Sequence, residues 1–289
     1  MEYHSGIGVL IVVLTAIFFK AVTTFGGTVH PREDLWPGPA PVEGSIVEDD
    51  KAYITICQPA KPNGTIVVIC PGGGYGGLVT EGEGRGIAKW LNKHGITGVV
   101  LEYRLPHGKM YRPLYDAQRA IRTVRSRAGK LKCNPDKIGI IGFSAGGHLA
   151  STAATHFDCG NASAEDPIEK VSCRPDFAIL VYPVISMGPK GHGGSKKNLM
   201  GSNPSPEMVE LFSNEKQVTA KTPPCFLAHA QDDTVVVPDN SKMFYDALIK
   251  CKVPAKYLEL ESGGHGLNGY KGPMWDKWQT LSVVWMKGL

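Results

Sequence analysis

The stretch that most constrains this chain is Ile138-Gly139-Ile140-Ile141-Gly142-Phe143-Ser144-Ala145-Gly146-Gly147-His148-Leu149-Ala150. Its apolar, β-branched start predicts a buried strand. Small residues crowd the middle, and a helix-like run extends from Ala145 to His156. Gly142-Phe143-Ser144-Ala145-Gly146 matches G-x-S-x-G, which forces a serine into a strained turn with its hydroxyl exposed at the carboxyl end of a sheet. Glycines are required there because the strand and helix backbones pass too close for side chains.

The remaining segments alternate between two periods. Strands are predicted within 46–58, at Thr65–Cys70, Thr97–Tyr103, Phe177–Tyr182, Cys225–His229 and Ala255–Leu260. Helical spacing is predicted from Glu83 to His94, Pro113 to Ala128, Asn240 to Lys250 and Pro273 to Met286, with a short helix near Pro206–Phe212. Strands alternating with helices imply an α/β class with a mostly parallel central sheet covered on both faces. The Pro- and Gly-rich lead-in from Thr28 to Gly44 is read as ordered without helix or strand, pinned by Trp36. Ser186–Pro206 has no periodicity and is read as a mobile polar loop over the sheet.

A serine hydroxyl is a weak nucleophile until a base takes its proton, and that base needs a carboxylate to orient it. On a sheet of this kind the acid and the histidine follow the serine in that order. The strand Cys225–His229 runs into Gln231-Asp232-Asp233, and the last strand runs into Gly263-Gly264-His265-Gly266. The candidate catalytic residues are therefore Ser144, Asp233 and His265. Asp233 is preferred to Asp232 by its spacing from the strand. Oxyanion donors are expected from the Ala145 N–H and from the glycine loop Pro71–Gly77, which stands where the HGGG motif of esterases stands; that alignment selects Gly73 and Gly74. The same glycine loop lacks the Lys-Ser/Thr of a phosphate-binding loop. His229 is read as a structural partner within its strand, His148 as packed beneath the turn, and His192 as solvent-facing.

Composition limits the alternatives. With 42% apolar and 20% charged residues the chain is an ordinary globular enzyme by composition. Its formal charge of +4 is scattered apart from Arg119–Lys132, read as the solvated face of a helix, so no nucleic-acid partner is expected. Residues 1–27, with the apolar run Ile7–Phe19, read as a cleaved signal peptide or an N-terminal membrane anchor. Residues 28–289 then form a single catalytic domain, secreted or otherwise extracytoplasmic. Of the seven cysteines, none forms a C-x-x-C pair, and Cys159–Cys173 is the expected disulfide. Asn63-Gly64-Thr65 and Asn161-Ala162-Ser163 are glycosylation sequons. No metal or organic cofactor is implied.

Several segments carry a family resemblance: Leu35-Trp36-Pro37-Gly38, Cys70-Pro71-Gly72-Gly73-Gly74-Tyr75, Val100-Leu101-Glu102-Tyr103-Arg104, Asp116-Ala117-Gln118-Arg119-Ala120, Gly142–Ala150, His229–Asp233 and Gly263-Gly264-His265-Gly266. In these the chain resembles the α/β-hydrolase superfamily, in the esterase/lipase branch near acetylxylan-esterase-like and feruloyl-esterase-like proteins. The resemblance implies an α/β-hydrolase fold and a serine carboxylic-ester hydrolase acting through an acyl-enzyme on short acyl, chiefly acetyl, esters of carbohydrates. Pro71 replaces the histidine that precedes the three glycines in hormone-sensitive-lipase-like esterases, and no apolar lid segment is visible. Both features point away from triglycerides. The alternatives are a general carboxylesterase or lipase, a prolyl-oligopeptidase-like peptidase, and a catalytically inactive binding protein.

Overall fold

The computed structural model describes residues 22–24, 27–41 and 50–289. The apolar run 7–19, on which the signal-peptide or anchor expectation rests, lies outside them. Among the described residues no helix is long and apolar enough to cross a membrane.

Among the described residues ten strands form one sheet. They are β1 (Val22–Thr24), β2 (Gly27–Val29), β3 (Glu33–Asp34), β4 (Tyr53–Gln58), β5 (Ile66–Cys70), β6 (Thr97–Glu102), β7 (Ile138–Phe143), β8 (Phe177–Val181), β9 (Cys225–Ala230) and β10 (Ala255–Leu260). The helices are α1 (Gly86–Lys93), α2 (Tyr111–Ser126), α3 (Ser144–Thr155), α4 (Gly193–Met200), α5 (Pro206–Leu211), α6 (Asp239–Lys250), the short turn α7 (Leu267–Tyr270) and α8 (Pro273–Lys287).

The sheet order is β1-β2-β4-β6-β5-β7-β8-β9-β10, with β3 also paired to β4. From β6 to β10 every neighbouring pair is parallel, while β4 runs antiparallel to β6 and to β2. The chain leaves β5 through α1 for β6 on one side, then returns through α2 to β7 on the other. Strand order therefore reverses at β5, and the crevice outside the carboxyl ends of β5 and β7 is where a doubly wound sheet binds its ligands.

The β-branched runs bury both faces because alternate side chains point to opposite sides. Val68, Ile140 and Leu180 pack with Ile121 of α2, Leu149 of α3 and Phe244 of α6. Val67, Ile141 and Ile179 pack on the opposite face with Leu91 of α1 and Trp278 of α8. Each fully buried aliphatic side chain of this kind contributes about 1.5–3 kcal/mol.

Four expectations are corrected. The lead-in is not free of strand: β2 and β3 both pair antiparallel with β4. Their two- and three-residue lengths give no alternation to read. Ser186–Pro206 is not an unstructured loop, since it contains α4, whose Ser195, Leu199 and Met200 are buried. Its Gly-Gly-Ser start has poor intrinsic helix propensity, and the helix is held by what it packs on. The arginines of Arg119–Lys132 are not all solvated. Arg119 and Arg122 are buried because the segment after α3 folds acids over them: Arg119 pairs with Asp166 and Glu169 at 2.7 Å, and Arg122 pairs with Asp158. Lys130 and Lys132 remain exposed. Finally, Cys159 and Cys173 do not form a disulfide, and all seven cysteines are free thiols. Cys173 points inward, where its Sγ accepts from the Asp158 N–H at 3.2 Å, whereas Cys159 is exposed.

One buried polar cluster ties the lead-in to the sheet. Asp116 of α2 accepts from the Arg104 N–H at 2.9 Å, from the Arg104 guanidinium at 2.8 Å and from Trp36 Nε1 at 2.7 Å. Arg104 and Asp116 side chains are only 2% and 0% exposed. Removing the carboxylate leaves an uncompensated charge in the interior. Asp116→Ala should lower unfolding free energy by about 3–5 kcal/mol, read as a shift in the urea midpoint with an unchanged slope.

Candidate active site

The turn from β7 into α3 is as tight as its sequence requires. A Cβ on Gly142 would lie 2.1 Å from the Gly146 carbonyl oxygen, and one on Gly146 would lie 2.1 Å from the Cys70 carbonyl oxygen at the end of β5. No side chain fits either gap. Ser144, at the first position of α3, adopts φ +53°, a left-handed conformation that strains a residue with a Cβ. The turn thereby delivers the Ser144 hydroxyl to the crevice beside β5.

The loops after β9 and β10 meet it there. His265 Nε2 lies 2.9 Å from Ser144 Oγ, and His265 Nδ1 lies 2.7 Å from Asp233 Oδ2. Asp233 is an acceptor, so Nδ1 carries the proton and Nε2 is left with its lone pair towards the serine hydroxyl. Asp233 is fixed by four bonds. Its Oδ1 accepts from the Val235 and Val236 amides at 2.9 and 3.0 Å, and its Oδ2 accepts from His265 and, at 3.2 Å, from His229. Burial alone would push this carboxyl up. The bonds from His229, His265 and the Val236 amide outweigh burial and hold it well below the usual carboxylate range.

Asp232 does not touch the histidine. Its oxygens accept from the Gly263 and Gly264 amides at 3.1 and 2.8 Å, clasping the loop that carries His265. The two adjacent acids thus take different tasks on the same loop: Asp232 holds its backbone and Asp233 its histidine side chain.

Gly73 and Gly74 lie in the loop after β5, both with positive φ; a Cβ on Gly73 would collide with the Gly77 carbonyl at 2.2 Å. Among the described residues their N–H groups have no protein acceptor, and the Ala145 N–H belongs to the first turn of α3, where no intrahelical acceptor exists. The loop is anchored by polar contacts from several sides. Tyr103 Oη donates to the Pro71 carbonyl at 2.7 Å, and the Gly72 N–H donates to Glu83 at 2.7 Å. Tyr75 Oη pairs with His148 at 2.8 Å, and Asn198 of α4 donates to the Gly74 carbonyl at 2.9 Å.

His148, His229 and His192 are accounted for by their partners. His148 Nε2 donates to the Phe212 carbonyl at 2.8 Å, so Nδ1 accepts from Tyr75 and the ring is neutral. His229 is buried, with Nδ1 accepting from Ser241 at 2.8 Å and Nε2 donating to the Val236 carbonyl at 2.8 Å. His192 is not left to solvent: half-buried, it caps α4 by accepting from the Ser195 N–H at 3.2 Å. Among the described residues no three His, Cys, Asp or Glu side chains are grouped to hold a metal ion.

Sequence reasoning missed Glu83, Tyr182 and Asn198. Glu83 had a readable signal: at positions 83, 87 and 91 it shares a helical face with the buried Ile87 and Leu91. Tyr182, whose ring meets the His265 ring edge-on at 5.0 Å, and Asn198 are placed by tertiary structure alone.

Comparison with known proteins gives concordant likenesses. The family model described as BD-FAE matches residues 54–248. An acetylxylan esterase of Xylanibacter ruminicola is 36% identical over 227 residues, covering 77% of this chain. Endo-1,4-beta-xylanase B of Butyrivibrio fibrisolvens is 36% identical over 230 residues, covering 74% of this chain. This chain spans less than half the length of either relative, 45% and 35% respectively. The crystal structure of an acetyl ester-xyloside bifunctional hydrolase from Caldicellulosiruptor lactoaceticus superposes with a TM-score of 0.84 at 39% identity, covering 89% of this chain and 96% of that one. The architecture is the α/β-hydrolase fold.

His148 gives the loop a pH-dependent anchor. Burial pushes its pKa from 6.5 down to about 4. Below pH 6.5 the unfolded chain therefore takes up a proton that the folded chain refuses, and stability falls as pH drops towards 4. The loss across that window is about 3 kcal/mol. In urea titrations the stability gap between wild type and His148→Gln should narrow by about that amount from pH 7 to pH 4; a constant gap would contradict it.

Proposed function

This chain belongs to the BD-FAE family of α/β hydrolases, and from that premise we propose that it is a serine carboxylic-ester hydrolase acting on short acyl esters of carbohydrates, chiefly acetylated xylan. The observation that carries the reading is the continuous line of hydrogen bonds from Ser144 through His265 to Asp233, beside three amides without acceptors among the described residues.

In this reading Ser144 Oγ attacks the ester carbonyl carbon while His265 Nε2 takes its proton. The carbonyl π electrons move onto oxygen, and the Gly73, Gly74 and Ala145 N–H groups hold that oxyanion. Collapse breaks the bond to the sugar oxygen, which leaves with the proton from Nε2. Water then attacks the acyl-enzyme with His265 again as base, releasing the carboxylic acid and restoring Ser144. Asp233 keeps Nδ1 protonated and stabilises the imidazolium that forms in each half.

Three things favour a sugar ester. Two relatives are named for xylan or its acetyl groups, and a structural neighbour is named for acetyl esters and xylosides. The wall over the glycine loop is α4, which places Asn198 against Gly74 rather than an apolar lid. The residues 7–19 fit an extracytoplasmic location, where such polymers are met; cell fractionation tests that part.

Ser144→Ala should abolish hydrolysis of 4-nitrophenyl acetate and covalent labelling by a fluorophosphonate. Asp233→Asn should lower kcat about 10⁴-fold with little effect on KM. Wild type should release acetate from acetylated xylan and favour acetyl over octanoyl esters; the reverse preference would overturn the carbohydrate reading while leaving the esterase reading intact.

A further inference from the structure

Glu83 is a carboxylate buried within the active-site wall, with 3% of its surface exposed, and the chemistry above does not use it. It sits in a π-helical turn, Glu81–Arg85, that leads into α1. Such turns recur at functional sites because they aim a side chain that a regular helix would misdirect. One oxygen, Oε2, accepts from the Gly72 N–H at 2.7 Å. The other, Oε1, accepts from Tyr182 Oη at 3.0 Å. The Tyr270 hydroxyl also favours the charged carboxylate.

These partners come from three parts of the site. Gly72 begins the glycine loop and lies against Ser144, since a Cβ there would come within 3.0 Å of the Ser144 Cβ and 2.6 Å of Glu83 Oε2. Tyr182 follows β8 and packs edge-on against His265. Tyr270 closes the turn after His265. Both tyrosines hold left-handed backbones, φ +37° and +65°, of the kind that persists only where surroundings enforce it.

We propose that Glu83 is the positioning residue of this site: it fixes the amide donors of the glycine loop relative to Ser144 and ties that loop to the elements that flank His265. The inference rests on the esterase reading. The Gly72 amide turned onto Glu83 sets the orientation of the next peptides, so Gly73 and Gly74 N–H face the crevice rather than the interior. An oxyanion donor displaced by a fraction of an ångström weakens the transition state more than the bound ester. Burial pushes the Glu83 carboxyl up; the Gly72 amide, the two tyrosine hydroxyls and His265 oppose that shift.

The test measures kcat per active site, counted by fluorophosphonate titration, together with the Ki of a trifluoromethyl ketone whose adduct needs the oxyanion donors. Glu83→Ala should lower titrated kcat about 10- to 100-fold and raise Ki in proportion, with KM within about threefold of wild type. Glu83→Gln keeps one carbonyl for Gly72 and offers an amide to the tyrosine hydroxyls, so it should fold and rescue most of the loss, leaving a roughly threefold to tenfold deficit. A residue that only supported the fold would lower the titratable fraction and leave kcat per site and Ki at wild-type values. That result overturns the proposal. If Glu83→Ala does not fold, wild-type kcat and Ki in Glu83→Gln overturn it alone. Failure of wild type itself to be labelled or to cleave esters would instead defeat the esterase reading.

Discussion

Between β7 and α3 the backbone must double back within a space that no side chain can share. Gly142 passes under the Gly146 carbonyl, and Gly146 passes under the Cys70 carbonyl of the neighbouring strand. That second contact joins the serine turn to the end of β5. It fixes how far Ser144 stands from the glycine loop. Each later feature of the site is an adjustment to that crossing: the left-handed Ser144, the loops from β9 and β10 that bring Asp233 and His265 across, and the buried polar groups under the glycine loop.

Those polar groups explain how a loop of five glycines in seven residues keeps a shape. Glycine carries the largest backbone entropy of any residue, so Pro71–Gly77 needs to be ordered from outside. Tyr103, Glu83, Asn198 and His148 hold Pro71, Gly72, Gly74 and Tyr75 of the loop respectively. Each is a directional bond to a named atom. His148 and Glu83 are shielded from water, where such bonds are stronger and their loss is more damaging. The order of the loop is thus supplied by residues outside it.

Where the sequence misled, tertiary packing had overridden a local default. Arg119 and Arg122 read as solvated because arginine usually is; the acids of the 158–169 segment, distant in sequence, fold over them and make burial tolerable. α4 read as a loop because Gly193 and Gly194 disfavour a helix; Leu199 and Met200 reach the core and Asn198 reaches Gly74, which outweighs that preference. Cys159 and Cys173 flank a polar loop, as a bridged pair would, yet one side chain turns inward and the other outward, a choice no spacing reveals.

By itself the sequence determined the α/β architecture, the serine turn and the chain order of its prospective partners. Periodicity, β-branched runs and glycine punctuation are local physics, and they act wherever the chain is placed. Spacing from the strand already preferred Asp233 as the partner of His265; only the tertiary structure showed that Asp232 clasps the histidine's loop. It alone placed Glu83 beneath Gly72 and Tyr182 against the imidazole, and left the Gly73 and Gly74 amides without an acceptor among the described residues. Those are matters of distance and direction between segments far apart in the chain. A hydrogen bond depends on tenths of an ångström that composition and spacing do not encode.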